Sequence, residues 1–581
     1  VTQRSVWLPD RSEIAVPNGM VVAKHPLAAE AGIAVLQEGG NAADAAAAVG
    51  FVLTVVKVMW TSLGGVGFLL AHDAARGEQW CVDGAPRAPL ACRPDSYDVL
   101  GPAGDGIALY TVRGDENAVG HRSVAVPGVV AMLCAAQAHL GRLPLARLLE
   151  PAIRLAEDGF QPDWNTTLWI AGAMAKLAAN SAAAAIFLPD GRPASWLSEQ
   201  PLRQPALART LRAIAAEGAD GFYRGEVARM IADDMRAHGG WIAEDDLANY
   251  PRLVEPPLRV PYRDLEICLP PMPCGATTAA ETLRILDRFD VVRAGHNTPD
   301  GLHLLIEASH RAFADRFHYL ADPEFVPVPL RGLLSEGHTA ELAALIASDR
   351  STTVTAPGDP EPWVRYDAQR PEGDPWRFED AVRPAALPGG VGDSADSTTH
   401  FAVVDAERNA VTCTLTTAGI FGAGVVTPGA GVGWNNGMTW FNPLPGTANS
   451  IAPGKRALTN MTPLLVLRDG KPFLALGAPG GRRIINAITQ IVLNVADHGM
   501  GMQAAITAPR IDASANLTIA DERLDAGVVD ALTARGHRVA MRADGPGAAP
   551  FSRPLGILVD PADGLLHSGA TPFHIAEARG Y

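Results

Sequence analysis

The sequence predicts a layered α/β fold. Short strand-like runs alternate with longer helical ones, and paired strands flank tight turns in the last third. Hydrophobic residues make up 48% and charged residues 19% of 581 positions, enough apolar material for a large core.

Met20–Lys24 reads as a short apolar strand after the turn Pro17-Asn18-Gly19. Pro26–Gln37 has helical periodicity and stops at Gly39-Gly40; Asn41 then caps an alanine-rich helix over 42–55. Ser62-Leu63-Gly64-Gly65-Val66-Gly67-Phe68 is a glycine-rich turn into a strand. It lacks the spacing and the Lys-Ser/Thr of a phosphate loop. Val124–Val129 leads into a helix. The periodic stretch 145–158 closes at Gly159, and Pro151 inside it is expected to split it in two. Further helices are read over 206–216, 225–238 and 303–316, with one starting near Thr277 after the proline-rich turn 269–275. His310 reads as a packing or surface residue. From Ser351 to Asp396 a Pro/Gly/Asp-rich segment shows no sustained apolar period and reads as a mobile linker. Beyond it, 400–404 and 410–417 read as strands around Glu407-Arg408-Asn409. Two more, 462–467 and 472–476, flank Arg468-Asp469-Gly470, and a helix over 484–495 follows Gly480-Gly481.

The net charge of −15 argues against a nucleic-acid partner. Six cysteines show no metal-ligand spacing and read as free thiols, with Cys81–Cys92 the one conceivable pair. The first ten residues show no basic head with an apolar run, so the chain reads as cytoplasmic or as one from which a signal was removed. No apolar stretch reaches membrane-spanning length.

The chemistry centres on Ser397-Thr398-Thr399-His400, where the linker meets a strand. A threonine hydroxyl is a weak nucleophile alone, and a free α-amine on the same residue serves as its base. That amine ordinarily titrates near pH 8. Locally, the same residues also read as the plain start of a strand.

Thr398-Thr399-His400-Phe401-Ala402-Val403-Val404-Asp405, followed by Asn409-Ala410-Val411, resembles the processing site of the γ-glutamyltranspeptidase family of N-terminal-nucleophile hydrolases. The resemblance spans nearly the whole chain, including Gly39-Gly40-Asn41-Ala42-Ala43-Asp44-Ala45-Ala46. It implies a four-layer αββα sandwich built from both halves of a self-cleaved precursor. Residues 1–397, with the linker over about 351–397, would form a large subunit and 398–581 a small catalytic one, sharing one core. The two subunits would stay together as a heterodimer, or as a dimer of these. Cleavage would fall between Ser397 and Thr398. Thr398 would be the nucleophile, Thr416 would orient its hydroxyl, and the backbone N–H groups of Gly480 and Gly481 would hold the oxyanion. Neither metal nor organic cofactor is implied; the partner is a small-molecule substrate.

The glutamate-reading positions depart from the family. Its carboxylate-binding arginine falls at Ala85, with Arg87 two residues on, about 7 Å along a strand. Its serine pair appears as Thr459 and Asn460. Its Asn-Asn-Gln-Met-Asp-Asp-Phe reads Asn435-Asn436-Gly437-Met438-Thr439-Trp440-Phe441, and a further asparagine becomes Ala418. The substrate-binding candidates are therefore Arg87, Asn436, Gly437, Trp440, Thr459 and Asn460. The pattern reads as a retained reaction on a non-glutamyl amide or a related amino-acid-derived bond, carbon–carbon hydrolysis included. A true γ-glutamyl enzyme using Arg87, or an inactive binding homologue, are the alternatives.

Overall fold

The computed structural model describes residues 11–103, 110–352, 354, 356–360, 396–545 and 550–581. Most of the segment read as a mobile linker lies outside them.

Two seven-stranded sheets lie face to face. The first runs, edge to edge, Glu577–Gly580, Met20–Ala23, Asp396–Val404, Ala410–Gly419, Val66–Asp73, Glu78–Gly84 and Leu253–Glu255. The second runs Ala15–Val16, Leu566–Ala570, Leu555–Val559, Lys471–Gly477, Leu464–Arg468, Leu265–Leu269 and Leu258–Tyr262. All pairings within both are antiparallel. Each sheet contains strands from before and after Ser397–Thr398, paired with one another, so a cut there leaves the backbone ladders intact.

Period-two alternation sorts the side chains into layers. Phe401 and Val403 pack with Val21, Leu69 and Cys413 beneath the helices Pro26–Gln37, Ala42–Val56 and Val129–Leu140. Ala402 and Val404 point the other way, with Met20, Val22 and Phe68, toward Leu465, Leu474 and Ile557 of the second sheet. Helices Ala276–Leu286 and Arg483–Ala496 cover that sheet's outer face, with Pro299–Tyr319 packed on the first of them. The order is helix, sheet, sheet, helix. Both faces of each central strand are covered, which is why Ala410–Gly419 is buried through its first nine residues.

The alanine-rich helix is wholly buried, and its small side chains let it lie close to its three neighbouring helices and the sheet. Asn41 caps it, accepting from Ala43 N and Asp44 N while Asp44 accepts from Asn41 N.

One expectation fails. Leu145–Asp158 is a single helix with Pro151 inside it. Its apolar face, Leu148, Leu149, Ala152 and Ala156, is buried, and the helix packs on Pro205–Glu217 and Ala42–Val56. That burial outweighs one missing backbone bond. All six cysteines are buried and free, Cys81 and Cys92 among them. His310 is buried, its Nε2 facing the Ala515 carbonyl at 3.1 Å, and it plays the packing role expected of it. No helix of the described residues is long and apolar enough to cross a membrane.

Candidate active site

Asp396–Val404 pairs with Ala410–Gly419 regularly from Val404 back to Thr399, and then the register slips. Ser397 opposes Ala418 while Thr399 opposes Leu415, so Thr398 faces two residues, Thr416 and Thr417. A bulge of this kind re-aims side chains at a strand end. Here it turns the Thr398 hydroxyl onto its own preceding peptide: Oγ1 lies 2.5 Å from the Ser397 carbonyl oxygen and 3.2 Å from Thr416 Oγ1. Thr416 Oγ1 also donates to the Ser397 oxygen and accepts from Ala418 N at 2.8 Å. Thr416 donates to the Ser397 carbonyl and polarises it, while the single Thr398 proton is shared between that same oxygen and Thr416 Oγ1.

The Ser397 side chain is pinned as well. Its Oγ donates to Met59 O at 2.8 Å and lies 3.2 Å from Thr417 Oγ1, while Thr417 N donates to Trp60 O at 3.1 Å. Trp60 in turn stacks on His574, with centroids 5.3 Å apart and planes 7° from parallel. The backbone of 59–60 thus fixes both strands flanking the Ser397–Thr398 bond.

His400 connects this site to the second sheet. Its Nδ1 lies 2.9 Å from Thr414 Oγ1, and a Cβ added at Gly477 would fall 2.2 Å from its ring. Burial and the neighbouring Lys24 charge hold its pKa well below the ordinary histidine value, so the ring is neutral. Thr412 Oγ1 donates to Leu476 O at 3.1 Å. Moving toward Thr398 on one sheet therefore moves toward Gly480 on the other, and both lie at the same end of the sandwich. Gly480 and Gly481 have φ of 139° and 58°, a backbone path that suits only glycine. Their turn is held by Ser552 Oγ and Arg553 N, which both donate to Pro479 O, at 2.7 and 2.9 Å. It opens into the helix Arg483–Ala496, whose N-terminal dipole favours negative charge nearby.

The remaining candidates lie on loops tied to one another by hydrogen bonds, and they form the proposed substrate wall. Asn436 N donates to Thr417 O, and its side chain is used at both ends, Oδ1 by Gly419 N at 2.7 Å and Nδ2 on Ala118 O at 2.9 Å. Gly437 is buried; a Cβ there would sit 2.8 Å from Asn435 Oδ1, 2.9 Å from Ala125 Cβ and 3.1 Å from Pro86 Cβ. Trp440 is 8% exposed. The Thr459 hydroxyl is buried without a hydrogen-bond partner. Asn460 Oδ1 accepts from Arg316 Nη2 at 2.8 Å, and the same nitrogen donates to Thr459 O. Arg87 is already engaged: its Nη1 donates to Gly454 O at 3.2 Å and lies 3.8 Å from Glu324. Ala418 sits at φ 72°, a left-handed conformation asparagine tolerates better than alanine.

Asn435 escaped the sequence reading as a site residue. Its Nδ2 donates to Gly64 O and Ala125 O, and its Oδ1 accepts from Ala125 N and Gly437 N. A single buried amide thus joins the glycine-rich turn, the 125 segment and the turn Gly437–Trp440. Its only signal in the sequence was membership of the Asn-Asn pair.

The sequence profile of the gamma-glutamyltranspeptidase family matches residues 28–574. The chain belongs to the γ-glutamyltranspeptidase family. Its members similar to this chain divide by what they act on. The acylase ACY 1 proenzyme of Pseudomonas sp. (strain V22) is 40% identical over 90% of this chain and 87% of its own length. The glutathione hydrolase proenzyme of Bacillus subtilis (strain 168) is 35% identical over 85% and 80%. Among solved structures, the cephalosporin acylase of Bacillus halodurans superposes with a TM-score of 0.85 at 27% identity, covering 100% of this chain and 99% of that one. The γ-glutamyltranspeptidase of Helicobacter pylori gives 0.53 at 31% identity, covering 61% and 95%. This member of the γ-glutamyltranspeptidase family therefore has the αββα fold of N-terminal-nucleophile hydrolases, and is an enzyme of the hydrolase and acylase kind.

If Thr416 polarises the Ser397 carbonyl, Thr416→Val removes one donor from the site of cleavage. Maturation should slow by roughly 10²–10³-fold, the usual effect of losing one such donor. The decay of the full-length band on denaturing gels measures it. An unchanged rate in a variant of unchanged thermal midpoint would remove Thr416 from the mechanism.

Proposed function

We propose that this chain is a self-cleaving threonine hydrolase that acts on the amide of an acyl group lacking the α-ammonium of glutamate. The observation that carries the chemistry is the bulge at Thr398, which places one hydroxyl against its own upstream carbonyl with a second hydroxyl bound to the same oxygen.

The steps follow from that arrangement. Thr398 Oγ attacks the Ser397 carbonyl carbon, the C–N bond breaks, and the acyl group passes to oxygen as an ester while the amine is released. Water opens the ester, leaving a carboxylate on Ser397 and a new N-terminus at Thr398, hence two subunits held by shared sheets. In turnover the freed amine takes the hydroxyl proton as Oγ attacks the substrate carbonyl. The tetrahedral oxyanion is held by Gly480 N–H and Gly481 N–H, each such donor worth about 3–4 kcal/mol of barrier. The leaving amine departs with the proton, and water cleaves the acyl ester.

Substrate choice follows from the wall. An α-ammonium needs a charged acceptor, and the counterpart positions hold Gly437, Trp440 and Ala418, none of them charged. The α-carboxylate needs a cation, yet Ala85 stands at the family's arginine position and Arg87 is paired with Glu324. A cation–π contact with Trp440 would return only about 0.5–2 kcal/mol. What remains for a ligand is the buried hydroxyl of Thr459 and an indole, which fit a flatter, less charged acyl group. The similarity to both an acylase and a glutathione hydrolase leaves this choice to the wall residues.

Steady-state kinetics on glutathione and on a panel of neutral and aromatic N-acyl amides decide it. Higher kcat/KM on one or more amides than on glutathione is expected. Efficient glutathione cleavage, at or above about 10⁴ M⁻¹s⁻¹, with no amide turnover would overturn the substrate assignment.

A further inference from the structure

We propose that His121, Asp234 and His238 form a binding site for a divalent transition metal of the zinc type. The site lies outside the catalytic centre and plays no part in the steps above.

Asp234 lies in the helix Gly225–Ala237, and His238 follows at that helix's end, four residues on and hence on the same face. His121 reaches the same point from the short turn His121–Ser123. Its Nε2 lies 3.5 Å from Asp234 Oδ2, and His238 Nδ1 lies 3.1 Å from Asp234 Oδ1. The two imidazoles stack with centroids 4.5 Å apart and planes 9° from parallel, so the half-exposed His238 ring would have to turn for both lone pairs to meet at one ion. One donor atom from each residue falls within 4.8 Å of the other two. Ligands held about 2.0–2.2 Å from a tetrahedral zinc stand about 3.3–3.5 Å apart; the two carboxylate–imidazole separations are of that size but run to different oxygens of Asp234, so the carboxylate would turn one oxygen to the ion.

Two independent features point to a ligand. The His121 side chain is 9% exposed, and its Nε2 is buried with no hydrogen-bond partner, although it faces a carboxylate. Such a nitrogen is costly to bury unless something takes its lone pair. Asp234 is also oriented from behind: Thr427 Oγ1 donates to its Oδ2 at 2.7 Å, as outer partners of metal carboxylates do. His238 is about half exposed and gives the metal a path from solvent and a place for a water ligand. Its Nδ1 now faces the Asp234 carbonyl oxygen at 2.9 Å, and metal binding would displace a proton there. Two nitrogens and one carboxylate select zinc, nickel, cobalt or copper over magnesium and calcium.

The site also has a structural reach. Thr427 Oγ1 accepts from Trp434 Nε1 at 2.9 Å, and Trp434 precedes the Asn435–Asn436 pair that holds the substrate wall. A bound metal would tie a helix and a turn of residues 1–397 to that loop.

Untagged protein, stripped with chelator, is titrated with Zn²⁺ by calorimetry, beside His238→Ala and His121→Gln. Three other His–carboxylate groups occur among the described residues, so the variants rather than the stoichiometry decide. The wild type is expected to bind one zinc that both variants lose, with a zinc-dependent rise in thermal midpoint that disappears with it. His238→Ala changes a half-exposed side chain and retains the fold, so its loss reports the ligand. No such zinc in the wild type, or a zinc retained by either variant, would overturn the site.

Discussion

Thr398→Ala is expected to stay a single 61.0 kDa chain on prolonged incubation and to hydrolyse nothing. In the proposed mechanism two functions reside in the one hydroxyl. Without it the Ser397 carbonyl has no attacking oxygen, although Thr416 still donates to it. Without cleavage Thr398 has no free amine, and so the site has no base. Loss of a covalent nucleophile removes about 10⁴–10⁶-fold in comparable hydrolases. Thr399 does not replace it. Successive residues on a strand face opposite sides, so Thr399 Oγ1 points with Phe401 toward the helix layer. Thr398→Ser keeps an oxygen at the same place and should still process. Electrophoresis and turnover assays read both outcomes; cleavage of the alanine variant would place the nucleophile elsewhere.

Arg456→Met is expected to cost about 3–5 kcal/mol of stability, the effect of breaking a buried ion pair from one side. The guanidinium is 6% exposed. It bonds Asp83 Oδ2 and Asp322 Oδ1, both at 2.8 Å, and those carboxylates are 4% and 0% exposed. Burial lowers the Arg456 pKa, but the hydrogen bonds and charges of Asp322 and Asp83 outweigh it and hold the group above the ordinary arginine value. Methionine fills the space and leaves two carboxylates buried without their cation. The damage reaches the site, because Asp83 Oδ1 also accepts from Ala85 N, at the head of the substrate wall. By contrast, the half-exposed pair Arg142–Glu407 should contribute no more than about 1 kcal/mol. Urea midpoints of the two variants, Arg456→Met and Arg142→Met, make the comparison. Equal midpoints would mean that the buried cluster adds nothing beyond a surface pair.

Much of the fold was legible because period and punctuation are local. Pro26–Gln37 carries its own period and its own stop, and the structure keeps the predicted ends. Pro151 misled for the opposite reason: whether a proline breaks a helix depends on what the flanking turns bury, and that is tertiary information. The strand that carries Thr398 was visible as a strand, but only the resemblance singled out Thr398 within it. The bulge that aims the hydroxyl arises from pairing with residues 415–418 and leaves no trace in the local pattern. Long-range supports were invisible for the same reason. Met59 O holds Ser397 across 338 residues, and Arg456 meets Asp83 across 373. Gly437 read as the loss of a glutamine; the structure adds that Asn435, Ala125 and Pro86 fill the space a side chain would need.

The central claim is that Thr398 becomes an N-terminal residue and carries the acyl group. Purified wild type is mixed with an excess of an amide substrate found by the kinetic panel, quenched in acid during turnover, digested and mapped by mass spectrometry. The account predicts a peptide that begins Thr398-Thr399-His400, with a free α-amine and the acyl mass as an ester on the first residue. Turnover by an uncleaved chain, or an acyl group carried on any other residue, would contradict it.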